Sequence, residues 1–291
     1  MASRQQIKRR IASVKNTKQI TKAMQLVSAS KLRRAQDAAV GPRAYAEMAR
    51  AILAKLKPLA REDGQFQLFT PRPVKARLLI LVASDRGLAG AYNANIVRTL
   101  VREAQADREA GVQTSVIAIG RQVANAIGRI SDLDVRGVYT DLPDKPDADA
   151  LRPVLTTAVG AFADGEIDAV DMIYTKFIST VNQQVQVRRI LPAGFDQEEG
   201  DTAAEMTGVT VEPSPEVLLR SVAMRLLDAQ IYQAILEAFA SEHSMRMLAM
   251  KTATDNATEL AEDLTLAYNN ARQAAITQEL AEISGGAEAM K

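Results

Sequence analysis

The sequence predicts an α/β protein in which N- and C-terminal helices form a long antiparallel coiled coil and a compact α/β domain is inserted between them. Three observations carry this. Residues 216–284 contain neither glycine nor proline and are rich in Ala, Leu, Met, Glu, Gln and Arg, all strong helix formers. Residues 3–40 also lack both and repeat apolar residues at spacings of three and four. Between these stretches, short aliphatic runs alternate with helical patterns, as strands and helices do around a sheet.

The first helix has an apolar face at Ile7, Ile11, Val14, Ile20, Met24, Val27, Leu32 and Ala35. Its other face carries Arg9, Arg10, Lys15, Lys22, Arg33 and Arg34. Gly41-Pro42 is expected to kink or interrupt it, with helix resuming to about Lys57 before Pro58. An amphipathic helix this long is not stable alone, because its apolar stripe stays wet.

Residues 61–73 read as a linker. Leu78–Val82 and Ser115–Ile119 are continuous apolar runs, the mark of strands covered on both faces. A helix over about 91–110 separates them, and a short helix follows Gly120. Val135–Tyr139 reads as a third strand, 148–163 as a helix, and Val170–Tyr174 and Gln184–Ile190 as the last two strands. The alternation Val185, Val187, Arg189 places the final strand at an edge. This arrangement predicts a largely parallel, Rossmann-like sheet. Segment 194–208 is expected to be a mobile loop.

The second long helix begins at a clear signal: Ser214 as cap, Pro215 at the first helical position, Glu216 in the first turn. Its exit is expected at Ser284-Gly285-Gly286. At 1.5 Å per residue the run is roughly 100 Å long, too long to be buried by one small core. Its expected stripe is Leu227, Ile231, Ile235, Met245, Ala253, Ala257, Leu260, Leu264, Ala267, Ala271 and Ala274. The many alanines permit close approach of the first helix. The expected domains are 1–60, 74–195, an acidic loop 196–213, and 214–291.

Composition bounds the chemistry. The 291 residues are 47% hydrophobic but only 4% aromatic, so aliphatic residues do the packing. Net charge is +1, yet residues 1–61 hold a net of +13 and 196–216 hold seven acids and no base. That polarity suggests docking surfaces of opposite sign. The absence of cysteine excludes disulfides, thiol catalysis and cysteine-based metal sites. The basic first helix lacks aromatics over residues 1–44, which disfavours both base stacking and an interfacial membrane helix. A protein partner with an acidic face fits better.

Two motifs invite chemistry and support little. Ser84–Gly90 follows the first strand, where α/β domains bind phosphate, but it lacks the Walker lysine and the three-glycine fingerprint. It reads as a tight strand-to-helix turn. His243, the only histidine, has no second ligand at helical spacing and no oxyanion hole nearby, so it reads as a packing residue. Met24, Met245, Met247 and Met250 suggest adaptable packing.

Three stretches resemble a known family. IKRRIASVKNTKQITKAMQLVSASKLRRA at 7–35 is similar to the first helix of the gamma subunit of F-type ATP synthases. SDRGLAGAYN at 84–93 resembles its central motif, and SEHSMRMLAMKTATDNATEL at 241–260 with LTLAYNNARQAAITQEL at 264–280 resembles its C-terminal signature. The resemblance covers essentially the whole chain. It implies a non-catalytic central-stalk rotor that couples proton-driven c-ring rotation to the catalytic cycle of the beta subunits.

The implied partners are three alpha and three beta subunits, epsilon and the c-ring. ATP and magnesium are expected on alpha and beta, with no cofactor in this chain. Matching positions imply that Lys22 and Met24 face an acidic loop of beta and that Arg246 is a coupling position. Arg272, Gln273, Thr277, Glu279 and Glu282 are implied to contact beta and alpha or to affect coupling. Val209, Val211 and Glu212 fall where the family meets the c-ring and epsilon, although the aromatics often found there are missing. Ala89 stands where the family often has cysteine, and the chloroplast cysteine insertion is absent. The Met1 start and lack of a transit peptide favour a bacterial protein, peripheral on the cytoplasmic face of the inner membrane.

The alternatives are a nucleotide-binding regulatory module with helical arms and a coiled-coil scaffold for other partners. Equilibrium dialysis of the isolated chain against ATP separates the first of these. A rotor shows no saturable binding, and a regulatory module saturates.

Overall fold

The computed structural model describes residues 4–56, 67–130, 133–143, 146, 148–193 and 215–288, with backbone alone at 39–47, 49–56, 67, 148, 215–220 and 285–288. The elements in chain order are α1 (Arg4–Leu56), a 3-10 turn (Gln67–Phe69), β1 (Ala76–Val82), α2 (Tyr92–Glu109), β2 (Gln113–Ile119) and α3 (Arg121–Ile127). β3 (Asp134–Tyr139), α4 (Ala148–Ala163), β4 (Ala169–Phe177), β5 (Gln183–Leu191) and α5 (Pro215–Glu288) follow. The chain divides into two compact units. One comprises Met1–Ser28 with Arg246–Lys291, the other Ala29–Met245.

The larger unit holds a five-stranded sheet in the order β3-β2-β1-β4-β5. β1 through β4 pair in parallel, and β5 runs antiparallel on the β4 edge. The apolar runs of β1 and β2 are fully buried because helices cover both faces of a parallel sheet. Leu79, Leu81, Val116 and Ala118 pack with Tyr92, Ile96 and Leu100 of α2 and with Val123 and Ile127 of α3. α4 contributes buried Leu151, Val154, Leu155 and Phe162.

A buried charge cluster lies within this sheet. Asp171 of β4, 2% exposed, accepts hydrogen bonds from Arg77 of β1 and Arg189 of β5. Arg77 also reaches Glu103 and Asp107 of α2. Burial opposes the Arg77 charge, but Asp171 and Asp107 outweigh it and raise its pKa above the ordinary value for a guanidinium. None of this was visible as a motif, because the partners lie 18 to 94 positions apart.

Several expectations need correction. The α1 backbone stays helical through Gly41-Pro42, so of the expected kink or interruption there is no interruption. Ser284-Gly285-Gly286 does not end α5, which continues to Glu288. Ile20 and Val27 are 61% and 57% exposed, and Leu260 is 48% exposed. Ala267 and Ala274 are also outward.

The physical reason is the phase of the repeat. Shielded positions on α1 include Ile7, Ile11, Val14, Lys18, Thr21, Gln25, Ser28, Leu32 and Ala35. On α5 they include Met250, Thr254, Ala257, Ala261, Leu264, Tyr268, Ala271 and Ala275. Both series step four and three alternately, a 3.5-residue repeat; the expected α5 stripe stepped likewise but took Leu260, Ala267 and Ala274 in place of their neighbours Ala261, Tyr268 and Ala275, and the expected α1 stripe passed from Val14 to Ile20 over Lys18. From Ala234 to Ser244, by contrast, α5 is buried on every side. Segment 196–213 and the cap at Ser214 lie outside the described residues.

Asp168 anchors the start of β1. Its carboxylate accepts from the backbone N–H groups of Lys75 (2.8 Å) and Ala76 (3.0 Å) and pairs with Arg72 Nε at 2.7 Å. Burial pushes the carboxyl up, but these donors outweigh it and hold it below the ordinary 3.8. A depressed folded pKa gives stability that is complete above 3.8 and lost as pH falls through the folded value. Asp168→Asn is expected to cost about 1–2 kcal/mol at neutral pH by urea unfolding, with the difference closing in acid.

Candidate partner-binding surface

The smaller unit pairs α1 residues 4–28 with α5 residues 246–288, and its seam is unusually polar. Thr21 and Thr254 lie inside it, 9% and 7% exposed, with their hydroxyl oxygens 2.8 Å apart. Each hydroxyl also has a carbonyl of its own helix within reach, Lys18 for Thr21 and Met250 for Thr254. Ser28 is 3% exposed, and the α5 side of the seam is largely alanine. A buried polar pair in the seam favours one register, because slippage breaks the bond between the two hydroxyls.

The outside of the unit carries large apolar side chains among its charges. Ile20, Leu26 and Val27 stand out from α1 at 57–61% exposure. On α5, Leu266, Ile276, Leu280 and Ile283 are 45–70% exposed. Seam shielding ends at Ala275, and every residue from Ile276 to Ser284 is exposed. Counting apolar residues put Ile20 and Leu260 inside, because a heptad-spaced series through Leu260 is as apolar as the one through Ala261 that the structure shields.

Charge is divided between the helices. Residues 1–28 carry seven Lys or Arg and no acid, whereas residues 246–288 carry seven acids and three bases. All but Lys18 of the α1 cations described are exposed, as are the α5 acids from Asp255 to Glu282. The two sides of the pair therefore present opposite potentials.

Most of the candidate residues lie on this surface. Lys22 is exposed, with its ammonium 3.3 Å from Gln25 Oε1 on the same helix, and Met24 is half-buried. Arg272, Gln273, Thr277, Glu279 and Glu282 are all exposed. Arg272 and Glu279 share a helical face with Ile276 and Ile283, while Gln273 and Thr277 share one with Leu280. Glu282 accepts from Gln278 at 2.9 Å. Arg246 differs, being 8% exposed. Val209, Val211 and Glu212 lie outside the described residues.

The two motifs that invite chemistry have these surroundings. Ser84 N–H donates to Asn93 Oδ1, and Ser84 Oγ donates to Arg86 O, closing the turn after β1. The Asp85 carboxylate accepts from the N–H groups of Arg121, at the start of α3, and of Asp141. It thus puts negative charge where a phosphate would compete for the helix end. Gly120 follows the end of β2 at φ +101°, where a Cβ would lie 2.2 Å from Ala83 O. His243 is 6% exposed on α5, and no cluster of metal-binding side chains occurs among the described residues.

A family profile described as ATP synthase matches residues 3–290. ATP synthase gamma chains are similar over their full length. Those of Herpetosiphon aurantiacus and Roseiflexus castenholzii are each 42% identical, covering 100% of this chain and 99% of the relative. That of Stenotrophomonas maltophilia is 39% identical, covering 100% of both.

Among solved structures, the Euglena gracilis mitochondrial ATP synthase (OSCP/F1/c-ring) contains a chain that matches at a TM-score of 0.68 and 18% identity, over 99% of this chain and 94% of that one. The Tetrahymena thermophila central stalk and c-ring structure matches at 0.62 and 22%, over 80% and 99%. At those identities the likeness establishes the fold.

Replacing one seam threonine removes the bond between the helices, while the other hydroxyl keeps the carbonyl of its own helix. Thr254→Val is expected to cost about 1 kcal/mol, and Thr21→Val with Thr254→Val little more than either change alone. A double-mutant cycle by thermal unfolding checks this, expecting about 1 kcal/mol of coupling where independent sites show none.

The chain belongs to the gamma-chain family of ATP synthases and is a non-catalytic subunit, the central-stalk rotor of the F-type enzyme.

Proposed function

We propose that the smaller unit turns inside a ring of three alpha and three beta subunits. The remainder of the chain engages epsilon and a c-ring driven by proton flow, at the cytoplasmic face of a bacterial inner membrane. The observation that carries this reading is the inverted polarity of the helical pair. Ile20, Leu26, Val27, Leu266, Ile276, Leu280 and Ile283 face outward while Thr21, Ser28 and Thr254 are inside. Apolar side chains exposed along both helices need a surrounding apolar surface. A sleeve supplies that, and it favours no single angle strongly, so the shaft can slide.

Angle dependence comes from the charges. With cations on α1 and acids on α5, turning the pair presents alternating sign to each identical neighbour. Linkage demands such a difference, because a shaft that binds every beta conformation equally shifts none of them. In this reading Lys22 and Met24 meet an acidic loop of beta. Arg272, Gln273, Thr277, Glu279 and Glu282 contact beta and alpha at the tip, and Arg246 supports coupling from within. Val209, Val211 and Glu212 meet the c-ring and epsilon. ATP and magnesium are bound by alpha and beta.

Met24→Lys is the test. It adds a cation beside Lys22 and an ionic contact to the acidic loop, so the shaft is held too strongly at one angle. Reconstituted enzyme carrying it is expected to pump fewer protons per ATP hydrolysed than wild type, with partial recovery at high salt as the contact is screened. An unchanged ratio would sink the assignment.

A further inference from the structure

Two motifs without a chemical role, the turn at 84–93 and the segment beginning at Ser241, converge within the larger unit. The turn after β1 starts α2 at Tyr92, whose side chain is 1% exposed. Its hydroxyl donates to the carbonyl of Ala238 on α5 at 3.2 Å, across 146 positions of sequence. Three residues on, Ser241 Oγ donates to the backbone carbonyl of Thr175 on β4 at 2.9 Å. One helical turn further, Ser244 Oγ donates to the carbonyl of Thr180, in the β4–β5 hairpin, at 2.8 Å and accepts from Gln183 Nε2 at 3.2 Å. Both serines are fully buried. Met245 packs against the core formed by the sheet, α2 and α3.

The direction of these bonds sets them apart. A serine or threonine inside a helix ordinarily satisfies itself on the carbonyl four residues back. Further along α5, Thr254, Thr258 and Thr265 each do so, at 2.6–2.8 Å. Ser241 and Ser244 instead spend their hydrogens on backbone carbonyls outside the helix. A hydrogen bond to another element's backbone fixes both position and rotation, since turning α5 about its axis by a fraction of a turn breaks all three contacts together.

We propose that Tyr92, Ser241 and Ser244 form a clamp that fixes the rotational phase of α5 on the α/β unit, so that torque applied to that unit enters the helix without slip. They are positioning residues, and this inference rests on the rotor reading above. A well-packed apolar contact alone resists separation but permits a helix to roll. Directional bonds to a sheet and to a second helix resist rolling.

The assembled complex in lipid vesicles tests it with Ser241→Ala plus Ser244→Ala. Hydrolysis without an opposing gradient is expected to stay within about twofold of wild type, while protons pumped per ATP fall as the opposing gradient rises. Amide exchange along residues 238–245 is expected to quicken by about fivefold for each bond lost, the factor that one net hydrogen bond represents. Coupling under load equal to wild type overturns the clamp.

Because this chain has no cysteine, Gln183→Cys with Ser244→Cys gives a second, reversible arm. A short bis-thiol reagent, with the complex containing the native chain as control, should restore coupling under load. Its release by reductant should lose coupling again in the same preparation. Bridged enzyme that stays uncoupled overturns the proposal even if the alanine variant fails to assemble. Failure of the rotor reading is distinguishable, because wild-type complex would then show no coupled pumping at all.

Discussion

A helix of 74 residues cannot leave its apolar stripe in water, and the way α5 meets that constraint governs the rest of the molecule. Within the larger unit it is enclosed on every side from Ala234 to Ser244. Within the smaller unit it pairs with α1, and the seam mixes Ile7, Ile11, Val14, Met250, Leu264 and Tyr268 with alanine and threonine at a 3.5-residue repeat. The alanines permit close approach, and the Thr21–Thr254 contact adds a register mark. Other large apolar side chains, among them Ile20, Val27, Leu266, Leu280 and Ile283, are left on the outside. One helix is thus packed as a domain core along one stretch and presented as a bare surface along another.

In the larger unit the loop after β1 is engaged by the protein's own groups. The sheet resembles those that hold nucleotides, but the loop that would cradle phosphate is tied up by Ser84, Asp85 and Asn93, and the Asp85 carboxylate covers the start of α3. The turn's remaining product is the placement of Tyr92 against α5. A phosphate-binding architecture here serves to grip a helix. Opposite charge on the two helices of the smaller unit then gives the gripped helix an angular identity, which a rotor needs and a symmetric rod lacks.

How much of this the amino-acid order revealed depends on range. The fully buried strands and the amphipathic helices were legible, because period and composition are local properties. Leu78–Val82 and Ser115–Ile119 lie within β1 and β2. The seam was misread at Ile20, Val27, Leu260, Ala267 and Ala274, because hydrophobicity was taken as the guide to burial and here it points outward. Gly41-Pro42 was read as a kink or interruption and Gly285-Gly286 as an exit, yet helical backbone runs through both, so neither pair ends its helix. The exposed residues Lys22, Arg272, Gln273 and Thr277 were reached through resemblance to a family, since nothing in their own chemistry marks them. Ser241 and Ser244 were passed over as neighbours of a lone histidine. Their acceptors are carbonyls more than sixty positions away, and backbone acceptors leave no trace in side-chain sequence.

The central claim is that the tip of α5 turns against other subunits during work. A single cysteine at Thr277, in a chain that otherwise has none, can be joined by oxidation to a cysteine on the facing beta subunit of the assembled enzyme. The account predicts that this bridge stops ATP turnover and that reduction restores it. Full turnover with the bridge intact would contradict it.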